Sequence, residues 1–135
     1  MTADDKNLVF VPLGGTGEIG MNCNLYGYGA GNKRDWIMVD LGVTFGRHTE
    51  PGIDVITADT RFIEAERGQL HALLLTHGHE DHIGAVGDKL LHLNPSTFVI
   101  MQSQNGPAQH RLRRVQLMLM PKKASIKTAP ILEIP

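Results

Sequence analysis

With a single cysteine, Cys23, in 135 residues, the chain can build no disulfide framework, and it lacks the thiolate sets that many structural zinc sites use. No apolar run approaches the ~20 residues that a membrane-crossing helix needs. The opening Met1-Thr2-Ala3-Asp4-Asp5-Lys6 is acidic and has no basic and apolar signal-peptide pattern. A soluble cytoplasmic protein is the expectation. There is no internal repeat and no low-complexity linker, although fifteen glycines and seven prolines imply many turns. The length and a hydrophobic content of 41% suit one modest domain, or part of one.

The net charge is only −1, yet it is unevenly spread. Residues 1–94 carry 13 acidic and 7 basic side chains, whereas 95–135 carry Glu133 against Arg111, Arg113, Arg114, Lys122, Lys123 and Lys127. Such a basic segment can meet nucleic-acid phosphates. An ordinary solvated face or a disordered end is an equal alternative.

The most informative run is Thr76-His77-Gly78-His79-Glu80-Asp81-His82, with four metal-ligating side chains, His77, His79, Asp81 and His82. From the frequencies of histidine and aspartate, chance produces this pattern somewhere in the chain roughly once in a thousand sequences. Imidazole nitrogen and carboxylate oxygen suit zinc and similar divalent ions. In an extended segment His77 and His79 point the same way and can share one ion. A helix opening at Asp81 turns His82 elsewhere, so Asp81 and His82 can serve a second ion. Two ions roughly 3.5–4 Å apart are an arrangement for hydrolytic displacement. A structural zinc site is the competing reading, and the scarcity of cysteine counts against it.

Hydropathy and turn signals predict strands over 8–13, 24–28, 36–39 and 71–75, with a turn over 29–35 and a loop over 42–52. A short helix is expected over 60–69. A second, capped by Asp81, is expected to present Ile83, Val86, Leu90 and Leu93 and to end at Pro95. The metal motif then lies on a strand-to-helix loop. Residues 98–101 read as a strand, and 115–120 as a strand or a helical turn.

A rival signal is Gly15-Thr16-Gly17-Glu18-Ile19-Gly20, which matches the dinucleotide fingerprint, with Asp40 at the expected distance beyond it. That fingerprint needs a helix to open at the glycines. The residues that follow are rich in glycine and asparagine with no helical apolar period, so tight turns are the expected role. Asp40, closing a buried strand, is then a carboxylate that orients a ligand histidine.

His-x-His-x-Asp-His after an apolar strand, with an aspartate closing an earlier strand, resembles the metallo-β-lactamase superfamily of metallohydrolases. Three further segments are similar to the ribonuclease J family of the β-CASP branch. They are Pro12-Leu13-Gly14-Gly15-Thr16-Gly17-Glu18-Ile19-Gly20-Met21-Asn22, Val39-Asp40-Leu41-Gly42-Val43-Thr44-Phe45 and Gly52-Ile53-Asp54-Val55-Ile56. The resemblance implies an α/β (α+β) fold, the amino-terminal portion of an αβ/βα sandwich. It also implies endonucleolytic and 5′-to-3′ exonucleolytic hydrolysis of RNA by a metal-activated water. His77 and His79 would bind one divalent ion and Asp81 and His82 the other, Zn2+ first and Mn2+ second. Asp81 and Asp40 are the candidate catalytic carboxylates, Asp40 as support. RNA is the implied substrate, with self-association or RNA-degradation partners.

The resemblance covers residues 8–94, read as the amino-terminal part of a metallo-β-lactamase-like domain. Segment 95–135 is read as an uncertain basic end, from a truncated gene product or a shifted reading frame. The family's later ligands, two histidines and a bridging aspartate, lie downstream in longer chains. His48, His71, His92 and His110 are expected on the surface. Two further readings are an incomplete fragment that binds only metal or a partner, and a dinucleotide-binding module. One sheet face is expected to be exposed.

Overall fold

A computed structural model describes residues 6–102, 114–119 and 127–128. Strand β1 (Asn7–Gly14) pairs antiparallel with β2 (Cys23–Ala30), and β2 with β3 (Lys33–Val39). The turn between β2 and β3 is only Gly31-Asn32, with Ala30 opposite Lys33. The expected turn over 29–35 is therefore corrected. A two-residue glycine-containing turn lets the ladder run almost to the tip.

The small hairpin of β4 (Val43–Phe45) and β5 (Val55–Thr57) follows. The helix expected over 60–69 is two pieces, α1 (Arg61–Ala65) and a 3-10 turn (Arg67–Gln69). Glu66, at φ −95° and ψ 12°, leaves the helical region and separates them. Strand β6 (Leu70–Leu75) lies parallel to β3, and β7 (Thr97–Gln102) lies parallel to β6 across a helical connection. Residues 114–119 form β8 (Arg114–Leu119), antiparallel to β7, which decides between the strand and helical readings there. With β9 (Lys127–Thr128), the sheet order is β1-β2-β3-β6-β7-β8-β9.

The connection after β6 also differs from expectation. Helix α2 (Glu80–Ile83) has His79, not Asp81, at its N-cap, and α3 (Val86–Leu93) follows after a break. The break has a hydrogen-bonding cause. The Asp81 carbonyl accepts from the Asn22 backbone N–H at 2.9 Å and from Asn22 Nδ2 at 3.1 Å, while the Ala85 N–H donates to the Leu41 carbonyl at 3.0 Å. A helix bond from Ala85 to Asp81 is replaced by ties to two neighbouring loops.

The period of two in the strands separates the sheet's faces. Leu25, Met38, Leu73 and Phe98 align across β2, β3, β6 and β7 and are buried with Cys23, Trp36, Ile63 and Leu93. Trp36 meets Phe62 of α1 edge to face, ring centres 5.3 Å apart. The opposite face carries Leu8, Phe10, Tyr26, Tyr28 and Ile37, all exposed, with Phe10 and Tyr26 in contact. One face of the sheet is thus open along β1 to β3.

Burial pushes the Cys23 thiol up to about 12, with the negative charge of Asp40 adding to the effect. The folded chain should resist a thiol reagent at pH 8 and react once unfolded in urea; equal rates would contradict this burial. A raised folded pKa also means that the thiol's contribution to stability is intact below pH 9. It falls as pH climbs toward 12, by at most about 1.4 kcal/mol per pH unit.

Candidate metal centre

Parallel pairing of β3 and β6 brings the ends of both strands to one sheet edge, with Val39 opposite Leu74. The first residue after each strand carries the site. Asp40 follows β3, and Thr76 begins the loop that holds His77 and His79. The Asp40 N–H donates to the Leu74 carbonyl at 2.8 Å, and its φ of +62° turns the chain out of the strand. Aspartate is among the few non-glycine residues that enter this region without severe penalty.

Asp40 is buried, and its carboxylate is fully engaged. It accepts from the Thr76 N–H at 2.8 Å, from Thr76 Oγ1 at 3.0 and 2.9 Å, and from His82 Nδ1 at 2.7 Å. An ionised carboxylate only accepts, so the Thr76 hydroxyl proton points at Asp40. The Thr76 oxygen, 3.1 Å from His77 Nδ1, is then left to accept from that nitrogen. Nδ1 of both His77 and His82 is consequently the donor, and Nε2 of each ring is the nitrogen turned toward the other side chains of the motif. One carboxylate sets two tautomers.

Those Nε2 atoms meet other ligand-type atoms. His77 Nε2 lies 3.2 Å from His79 Nδ1, and His82 Nε2 lies 3.3 Å from Asp81 Oδ2. The ring centres of His77 and His82 are 4.0 Å apart. Two ligands bound tetrahedrally at 2.0–2.1 Å stand about 3.3 Å apart, so each pair already has the spacing of one edge of a coordination shell. Among the described residues no three such side chains converge on a common centre. The donors fit a divalent ion in kind and in pairwise spacing, and each pair supplies part of a shell.

Two residues without a predicted role belong to the site. Asn22 Nδ2 lies 3.4 Å from both Asp81 Oδ2 and His82 Nε2, and Thr76 relays Asp40 to His77. Thr76 could have been suspected from its position directly before the motif, whereas the reach of Asn22 across 59 residues has no local signal. Gly42 is a further requirement, because a Cβ there would stand 1.7 Å from the Asp81 carbonyl oxygen. Residues 16–20 form bends between β1 and the antiparallel β2, so no helix opens at the dinucleotide-like glycines. His48, His71 and His92 are exposed, and His71 pairs with Asp35 at 2.6 Å. His110 lies outside the described residues.

A family model described as the metallo-beta-lactamase superfamily matches residues 19–103. The chain belongs to this superfamily. Its mixed sheet with helices on one face is consistent with that α+β sandwich. The chain is 53% identical over 96 residues to ribonuclease J of Sinorhizobium meliloti, covering 71% of this chain and 17% of the relative. It is 41% identical over 107 residues to ribonuclease J of Mycolicibacterium smegmatis, covering 75% and 18%. With the Thermus thermophilus ribonuclease J it shares 40% identity over 77 residues, 56% of this chain and 13% of the relative. The chain spans less than a fifth of these relatives and is similar to their amino-terminal part. Superfamily membership implies use of a divalent metal.

Asp40→Asn should shift His82 toward the Nε2–H tautomer, because the amide presents a donor where the carboxylate accepted. Long-range proton–nitrogen spectra read this directly, and stability should fall by about 1–3 kcal/mol; an unchanged His82 pattern would contradict the tautomer argument. Gly42→Ala should cost about 3 kcal/mol or more in urea unfolding, since the clash is with backbone. A wild-type midpoint would show that the 40–43 and 81–82 segments separate easily.

Proposed function

We propose that this chain contributes part of the active site of a metal-dependent ribonuclease that hydrolyses RNA phosphodiester bonds, endonucleolytically and from the 5′ end. The observation carrying the reading is the set His77, His79, Asp81 and His82, with two imidazole rings oriented through Nδ1 by one buried carboxylate. Similarity to the ribonucleases J supports RNA as the substrate class.

In this reading His77 and His79 hold one ion and Asp81 and His82 the other, Zn2+ before Mn2+. Further ligands come from outside the described residues. The chemistry that a bound divalent ion supplies is a lowered pKa for water and an offset to charge developing on phosphoryl oxygens. Asp40 acts as a positioning residue. It holds Nδ1 of His82 directly and Nδ1 of His77 through Thr76, which keeps Nε2 of both rings turned toward the site. Asn22 steadies the Asp81 carboxylate.

The same proposal takes residues 8–94 as the amino-terminal part of the domain and includes a cytoplasmic location. It extends to association with further copies or with RNA-degradation partners. A second reading, a chain that binds metal or a partner without cleaving RNA, is favoured by the meeting of the donors in pairs rather than threes.

Metal per chain, measured by inductively coupled plasma mass spectrometry, should fall to background in the double variant His77→Ala, His79→Ala if the two sites fill together. Cleavage of a labelled RNA should disappear with it. Metal retained without cleavage in the wild type favours the second reading, and cleavage undiminished in the double variant overturns the first.

A further inference from the structure

An open cleft of about 350 Å3 adjoins Asp81, between the 15–20 loop, β4 and the first turn of α2. Its walls include Ile19, Gly20, Thr44 and Phe45 on one side and Glu80 and Asp81 on the other. Ile19 is 93% exposed and Phe45 57%, so two large apolar side chains stand in water beside the metal motif.

The wall that carries them is firmly built. Phe45 ends β4, opposite Val55 of β5, and the Gly46 N–H extends the hairpin to the Asp54 carbonyl at 3.2 Å. The loop is laid on β4 by the Met21 N–H, which donates to the Val43 carbonyl at 2.9 Å, and by Thr44 Oγ1, 3.4 Å from the Ile19 carbonyl. Gly20, at φ +103°, lets it approach this closely, since a Cβ there would stand 2.6 Å from Thr44 Oγ1.

The lining decides what can enter. An aromatic face and an aliphatic side chain offer a surface for a flat ring. Glu80 and Asp81 offer acceptors, and among the described residues no cation lines the cleft. A phosphate is repelled by that composition, whereas a nucleobase can stack on Phe45 and present an exocyclic amino group to Glu80. The volume lies near the lower end for ligand pockets and suits one nucleotide rather than a duplex.

We infer that Phe45, with Ile19, forms a stacking platform for a single nucleobase next to the cleaved bond, and that Glu80 favours amino-bearing bases over uracil. The inference rests on the RNA reading above and adds a specificity element to it.

The test uses the 135-residue chain in EDTA, where metal-dependent cleavage does not compete. Three hexaribonucleotides are titrated: uridine throughout, one position replaced by 2-aminopurine, and the same position abasic. Repulsion between the carboxylates and phosphates is equal for all three, so their ratios read the base. The 2-aminopurine strand should bind about tenfold more tightly than the abasic one, with quenched emission. Phe45→Ala should remove both effects and Phe45→Trp keep them, while Glu80→Ala should narrow only the preference over uridine.

Equal binding of 2-aminopurine and abasic strands by the wild type overturns the platform. So does a difference that survives Phe45→Ala in a chain with wild-type circular dichroism and urea midpoint. Binding of none of the strands overturns it as well. In that case RNA cleavage with added Zn2+, abolished by His77→Ala, His79→Ala, would show that the RNA reading stands without the platform. No cleavage would remove both.

Discussion

The carboxylate of Asp40 is the group on which the rest of the site depends. It sits at a sheet edge inside the protein, where an unpaired negative charge would be severely penalised. Its cost is offset because both oxygens accept from Thr76 and one also accepts from His82. Those same bonds fix the hydroxyl proton of Thr76, and through it the protonation pattern of His77. Packing, hydrogen bonding and ligand chemistry therefore meet at one residue. The left-handed backbone of Asp40 is part of this arrangement, since it directs the chain into Leu41 and Gly42, which bond to His82 and Asn22.

A lattice of backbone bonds around that residue explains why three distant stretches hold together. Residues 21–22, 40–43 and 81–85 exchange N–H and carbonyl groups that would otherwise belong to a helix or face solvent. The break between α2 and α3 is one consequence. Giving up a regular helical bond orients Asp81 toward Asn22 and His82 instead of along the helix. Local regularity is traded for a site spanning three segments, as is common where loops at strand ends carry function.

The two faces of the sheet are energetically different. One buries Leu25, Met38, Leu73 and Phe98 against helices, and the other leaves Leu8, Phe10, Tyr26, Tyr28 and Ile37 in water along β1 to β3. The chain spans less than a fifth of the length of the relatives it matches, and among the described residues this face stays exposed and the metal-ligating side chains meet in pairs.

The motif 76–82 carries its ligand types in plain sequence, because metal chemistry restricts which side chains appear and at what spacing. Strands β1, β3 and β6 were legible for a similar reason, since burial on a sheet imposes a recognisable apolar pattern. The dinucleotide-like glycines show the limit of such patterns, because the same letters serve bends between antiparallel strands. The cap at His79, the interrupted helix, the relay through Thr76 and the reach of Asn22 were not legible. Each depends on bonds between residues from 22 to 85 that only the parallel register of β3 and β6 brings together. Sequence by itself determined which donor atoms this protein has. Tertiary structure decided which way their protons point, because a tautomer is set by the partner across the fold and not by its neighbours in the chain.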